Sequence, residues 1–176
     1  MSNYNKTLYL VRHAKSSWKD ASLDDRDRPL NKRGRRSAPD MGQRMAEQGH
    51  VPDLIISSPA KRAYSTARKF ARELDYNPRD IIRHEDLYFA GIFSMCELLE
   101  GVDDRYNKVM MVGHNPAMTS LLNTLCDVSI FNMPTAAVAV IGYDMDSWSE
   151  LEGENGILLG YGYPKGPADF KSGVRD

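Results

Sequence analysis

The stretch Thr7-Leu8-Tyr9-Leu10-Val11-Arg12-His13-Ala14-Lys15-Ser16-Ser17 decides how the rest of the chain is read. Leu8 to Val11 is a short apolar run, β-branched and aromatic enough for a buried strand. It stops at Arg12-His13 and gives way to polar residues. A histidine beside an arginine, just past a buried strand, suits a place where a phosphate is held and attacked. Taken alone, the same pair also suits a strand end with two solvated basic side chains.

Two further stretches repeat the pattern. Leu54-Ile55-Ile56-Ser57-Ser58-Pro59 leads to Lys61-Arg62, and Val109-Met110-Met111-Val112-Gly113 ends in His114-Asn115-Pro116. Ser58-Pro59 and Asn115-Pro116 both read as a helix N-cap followed by the first helical position. Strands alternating with helices predict an α/β domain with a mainly parallel sheet, to which the last two strands add an antiparallel edge. In such sheets the C-terminal ends of the strands share one edge, and ligands bind there. Arg12, His13, Arg62 and His114 are therefore expected to converge, although they are far apart in sequence.

Arg62 adds an independent sign. With Ser58 as cap, Lys61 and Arg62 fall in the first turn of their helix, where free N–H groups already make the end positive. A cation there costs about 0.3–1 kcal/mol when exposed, and a bound anion reverses the effect. Lys61 is read as solvated, Arg62 as functional.

The predicted strands cover 6–12, 53–57, 81–82, 108–114, 136–143 and 156–161. Helices are expected from Asn31 or Lys32 to Glu47, from Pro59 to Leu74, from Phe93 to Leu99 and after Pro116. In the first, Asn31 caps, Met41 and Met45 face inward, Gly49 marks the stop, and Pro39 is expected to kink or restart the helix. In the second, Ala63, Ala67, Phe70 and Leu74 share a face. Residues 14–30 read as a polar loop, Trp148 as part of a hairpin-like connection, and 165–176 as a loosely ordered tail behind a domain spanning 1–164.

At 176 residues, with 41% hydrophobic and 27% charged, the chain has ordinary globular composition and room for one core. A net charge of −1 and a pI near 6.4 provide no basic field to recruit nucleic acid or membrane. Cys96 and Cys126 are distant and read as reduced buried thiols, and no His/Cys spacing suits a metal. The absence of a signal-peptide core or membrane-length run sets the cytoplasm as the expected location.

Together, Leu10-Val11-Arg12-His13-Ala14, Ser57-Ser58-Pro59-Ala60-Lys61-Arg62-Ala63 and Val112-Gly113-His114-Asn115-Pro116 resemble the histidine phosphatase superfamily. Arg28-Pro29-Leu30-Asn31-Lys32-Arg33-Gly34 and Asp86-Leu87-Tyr88-Phe89 resemble its SixA-type phosphohistidine phosphatase branch. The resemblance covers roughly residues 6–160. It implies a single three-layer α/β/α, phosphoglycerate mutase-like domain. It also implies a nucleophile at His13, with Arg12, Arg62 and His114 around one phosphate, and no cofactor or metal. Where many members of the superfamily carry an acidic residue and an asparagine after the first motif, this chain has Lys15 and Lys19. For the mid-chain general acid it offers Glu85 or Asp86.

The expected reaction is attack on phosphorus by neutral His13, its other ring nitrogen fixed by a backbone carbonyl, with protonated His114 and the arginines on the phosphoryl oxygens. Ser16 is a further candidate phosphate donor. A missing general acid is tolerable if imidazole leaves and costly if an alkoxide leaves, which favours phosphohistidine in a protein as substrate. A small phosphorylated metabolite, or a phosphate-binding module without catalysis, is the alternative. His50 and His84 read as surface histidines. Tyr88 and Phe89 fit either the pocket mouth or the core.

Overall fold

Alternating apolar runs and amphipathic segments fold into one six-stranded sheet with helices on both faces. The structure, a computed structural model, describes residues 4–89 and 91–170. The elements are β1 (Lys6–Arg12), α1 (Lys32–Glu47), β2 (Leu54–Ser57), α2 (Lys61–Glu73), β3 (Ile82–Arg83), α3 (Asp86–Phe89), α4 (Ile92–Glu100), β4 (Lys108–Gly113), α5 (Ala117–Cys126), β5 (Val138–Tyr143) and β6 (Ile157–Gly162). The strand order is β3-β2-β4-β1-β5-β6. β3, β2, β4 and β1 pair in parallel, while β5 runs antiparallel to both β1 and β6.

Period-two alternation divides the central strands between two cores. Leu8, Leu10, Ile56, Met111 and Ile141 face α4 and α5, meeting Leu99, Met118, Leu122 and Leu125. Tyr9, Val11, Ile55, Met110 and Val140 face α1 and α2, meeting Met41, Met45, Ala67 and Phe70. Both faces of the sheet are thereby covered, as its near-continuous apolar strands require. No helix among the described residues is long and apolar enough to cross a membrane.

Several local expectations shift. α1 continues through Pro39, because burial of Ala38, Met41 and Met45 on one face outweighs the missing N–H. Asn31 caps it through its side chain, which accepts from the Gly34 N–H at 2.8 Å. α2 begins at Lys61, with Ala60 as its cap residue. Ser58 is used for the turn out of the strand, its hydroxyl accepting from the Ala60 N–H. α5 begins at Ala117, and the Asn115 side-chain oxygen accepts from the backbone N–H and hydroxyl of Thr119. Trp148 lies within the core, its ring N–H donating to the Tyr106 carbonyl. Of the expected loose tail, Phe170 is buried against the glycines of β6, where added Cβ atoms on Gly160 and Gly162 would collide with it. Residues 171–176 lie outside the described residues.

One close approach ties the fold to the loop after β1. A Cβ on Gly34 would stand 2.1 Å from the Lys15 carbonyl oxygen, the same oxygen that accepts from the Asn31 N–H at 3.0 Å. Gly34→Ala should therefore lower stability by about 1–3 kcal/mol in chemical denaturation. Gly101→Ala, whose Cβ meets only ordinary contacts at 3.6 Å, should change it by less than about 0.5 kcal/mol.

Candidate active site

The strand order makes three motif-bearing ends into neighbours. β4 lies between β1 and β2, with Arg12 opposite Gly113 and Ser57 opposite Val112. The N–H of His13 donates to the Gly113 carbonyl at 3.0 Å, and that of Ser58 to the Val112 carbonyl at 2.9 Å. The rings of His13 and His114 consequently sit with centroids 5.0 Å apart. Arg12, His13, Ser16, Arg62 and His114 line one pocket of about 240 Å³, together with Lys15, Trp18, Arg28, Asn115 and Thr135.

His13 is buried and oriented. Its Nδ1 lies 2.7 Å from the Ala14 carbonyl oxygen. A carbonyl only accepts, so the proton is on Nδ1 and the lone pair is on Nε2. The Ala14 N–H is in turn held by the Thr66 hydroxyl, which donates to the Arg62 carbonyl. Burial pushes the His13 pKa down to about 4; the Ala14 bond opposes this, and the charges of Arg62, Arg12 and Arg28 add to it. The ring is therefore neutral at neutral pH.

His114 departs from expectation. Burial, then the proximity of His13 and Arg62, brings its pKa down to about 3. The ring is neutral in the free site, because cations already crowd it and no carboxylate touches it. Its Nε2 is 2.8 Å from the Ser58 hydroxyl, while its Nδ1 is buried without a partner. An anion in the pocket raises this pKa, since opposite charge favours the protonated ring.

The loop of residues 14–30, read as merely polar, supplies part of the site. A 3₁₀ turn at Asp25–Asp27 directs Asp25 against Arg62, whose two terminal nitrogens donate to the Asp25 carbonyl at 2.6 Å and carboxylate at 2.9 Å. The Asp25 carboxylate also accepts from Tyr88 at 2.9 Å and from Arg28 at 3.2 Å. Partial burial raises its pKa, but the Tyr88 and Arg62 hydrogen bonds and the Arg62 charge outweigh that and hold it at about 2. Arg28 is buried, donates to the Ser16 hydroxyl at 3.1 Å and stacks under the exposed Trp18 ring. Ser16, having accepted from Arg28, keeps its own O–H for the pocket. Sequence reasoning missed Asp25, Arg28, Trp18 and Thr66. Arg28 headed the segment taken as a branch marker, and that was its only signal.

Arg12 is anchored from the opposite side by the Met133 carbonyl at 2.8 Å, which Asn115 also holds. Arg12 Nε and Arg62 Nε, like His114 Nδ1, are buried and have no partner among the described residues. A buried N–H without an acceptor costs about 1–3 kcal/mol. The residues that carry these groups line one small, strongly cationic pocket, whose chemistry suits a multi-oxygen anion.

Glu85 and Asp86 do not line this pocket. Glu85 pairs with both terminal nitrogens of Arg26, and these hydrogen bonds lower its pKa. Asp86 lies 3.8 Å from His84. Tyr88 is at the mouth, its ring edge-on to His114 with centroids 5.6 Å apart, and Phe89 is 72% exposed. Among the described residues no group of three or more His, Cys, Asp or Glu side chains could hold a metal ion.

Comparison with known proteins bears on the family and the fold. The profile of the histidine phosphatase superfamily (branch 1) matches residues 8–88. An uncharacterised chloroplastic protein of Arabidopsis thaliana is 31% identical, over 90% of this chain and 77% of its own length. The structure of a protein of Agrobacterium tumefaciens described as a candidate phosphohistidine phosphatase SixA superposes with a TM-score of 0.78 at 28% identity, covering 92% of this chain and 99% of that one. A mycobacterial glucosyl-3-phosphoglycerate phosphatase shares the fold, with a TM-score of 0.61 at 16% identity over 84% of this chain and 95% of its own.

The buried neutral histidines make stability depend on pH. Unfolded histidines take up protons near pH 6.5, whereas folded His13 and His114 resist until about 4 and about 3. Between these limits the unfolded state binds more protons, so stability falls as pH falls. Urea denaturation from pH 7 to 5 should show this slope. A His13→Gln, His114→Gln double variant should flatten it, leaving the smaller contribution of His50, which burial also pushes down.

Proposed function

From the premise that this chain belongs to the histidine phosphatase superfamily, we propose that it is a phosphohistidine phosphatase, with His13 as nucleophile and a protein-borne phosphohistidine as substrate. The observation that carries this reading is the pocket itself. A neutral histidine, its proton fixed on Nδ1 by the Ala14 carbonyl, stands among Arg12, Arg28 and Arg62, and Arg12 and Arg62 each keep a buried donor without a partner among the described residues.

His13 Nε2 attacks phosphorus and forms a P–N bond as the substrate's P–N bond breaks. The substrate imidazole, protonated beforehand at its other nitrogen, departs neutral. It takes the bonding electron pair and needs no proton from the enzyme. With its proton on Nδ1, the phosphorylated His13 is in turn a cationic ring that leaves neutral when water attacks phosphorus. Inorganic phosphate is the product. Arg12, Arg62 and Arg28 stabilise the charge spread over the phosphoryl oxygens. His114 becomes protonated as the dianion enters and donates to it. Ser16 supplies a further hydroxyl donor. Asp25 stays ionised and acts as a positioning residue, fixing the Arg62 fork.

Arg26 holds Glu85 ionised, and Asp86 lies outside the pocket. Neither is assigned proton transfer in this scheme. Without a positioned acid an alkoxide leaves badly, a handicap of around 10²–10⁴-fold, so the phosphoramidate is the better substrate.

The test is a parallel turnover assay of wild type and His13→Ala on a phosphohistidine peptide, a phosphoserine peptide and an aryl phosphate, with chelator present. The expected result is preference for phosphohistidine, lost by at least about 10³-fold in the variant, with Glu85→Gln and Asp86→Asn near wild type. Equal or better turnover of an ester moves the protein to metabolite or general phosphatases. Binding of phosphate without turnover of any substrate leaves a binding module.

A further inference from the structure

Two depressions adjoin the phosphate pocket, each sharing part of its wall, and they share no residue with each other. One, of about 250 Å³, shares Lys15 and Thr135 with the phosphate pocket and is otherwise lined by Arg33, Ser37, Pro134, Tyr163, Pro164 and Lys165. The other, of about 450 Å³, shares His114 and Asn115 and is lined by Phe89, Ile92, Pro116 and Ala117.

The charged residues of the first depression, Lys15, Arg33 and Lys165, are all cations, set among uncharged side chains. Lys15, Arg33 and Lys165 are exposed, and among the described residues none of their side chains has a hydrogen-bond or ion-pair partner. Arg33 belongs to the first turn of α1, which carries no acidic residue, although cations are disfavoured at that end of a helix. Lys15 stands where the wider superfamily often has an acid. Such an arrangement is costly in isolation and favourable beside an anion other than the phosphoryl group already accounted for.

The second depression is apolar. Its wall carries no Lys, Arg, Asp or Glu, and the exposed Phe89 and the adjoining Phe93, at 72% and 76% exposure, extend its apolar surface. A polyhydroxylated metabolite placed there would leave hydroxyls unpaired. An apolar protein side chain would bury both partners' surfaces.

We propose that the substrate is a phosphoprotein whose phosphohistidine is flanked by acidic residues on one side and apolar residues on the other, and that it binds in one orientation: acidic flank on Lys15, Arg33 and Lys165, apolar flank on Phe89, Ile92 and Ala117. This rests on the phosphohistidine reading. It adds the two determinants that the phosphate pocket alone does not have. Both grooves open off the pocket that holds the phosphoryl group, so one molecule fills all three. Charge complementarity and the apolar wall then set its direction.

The probes are phosphoramidate, which fills only the phosphate pocket, and synthetic phosphohistidine peptides in four forms. One has acidic residues before and leucines after the phosphohistidine, one has the reverse order, one has serines replacing the acids and one has serines replacing the leucines. One of the first two orders should exceed the other and both serine peptides by about five- to tenfold in kcat/KM, mainly through KM. Arg33→Glu with Lys165→Glu should remove the advantage of the acids and its salt dependence. Phe89→Ser should remove that of the leucines. Phosphoramidate turnover should stay at wild-type level in both variants. Equal kcat/KM for all four peptides, with phosphoramidate turned over, overturns the docking inference and leaves the phosphatase reading intact. Turnover of none of these substrates overturns both.

Discussion

The parallel ladder that seats β4 between β1 and β2 is the constraint on which the site depends. It pairs Arg12 with Gly113 and Ser57 with Val112, so the residues just past each strand emerge side by side. His13 and His114 meet because the strands before them are hydrogen-bonded neighbours, with no further loop required to carry one to the other. A slip of one residue in that ladder would turn every side chain to the opposite face. The two apolar cores, each specified by alternate residues of the same strands, hold the register against such a slip. Core packing and pocket geometry are therefore consequences of one pairing.

The pocket concentrates positive charge, and its surroundings control what that charge does. Asp25 binds the terminal nitrogens of Arg62 and also receives Tyr88 and Arg28, so one exposed-edge carboxylate organises two arginines. Burial, with the charges of Arg62 and Arg12, keeps both His13 and His114 neutral. For His13 this suits a nucleophile, whose lone pair is then available. For His114 it suits a group that gains its proton together with an anionic ligand. The buried polar atoms of Arg12, Arg62 and His114 that have no partner among the described residues carry a local cost in stability.

Legibility in the sequence followed the range of the interactions involved. The strands and helices were readable because apolar runs and 3–4 spacing are local, and Asn31 announced itself as a cap. The convergence of Arg12, His13, Arg62 and His114 was readable because parallel sheets have one active edge. Misreadings came where a side chain found a distant partner. Ser58 was taken for the cap of α2, but its hydroxyl lies against His114. Residues 14–30 looked like a merely polar loop, but Arg28 is buried between Ser16 and the Trp18 ring, and the exposed Asp25 accepts from Arg62. Phe170 looked like tail, but β6 offers two glycines on which its ring rests.

By itself the sequence determined the α/β class, the three strand ends and the four residues gathered at them, because strand polarity, helix periodicity and capping are short-range properties of the chain. Only the tertiary structure decided the strand order, the neutrality of His114, the pairing of Glu85 with Arg26, and the contacts of Asp25 with Arg62 and of Arg28 with Ser16. Each of these depends on burial or on a charge from another part of the chain. Neither has a local signature, because the free energy of an ionised side chain is set by what surrounds it after folding.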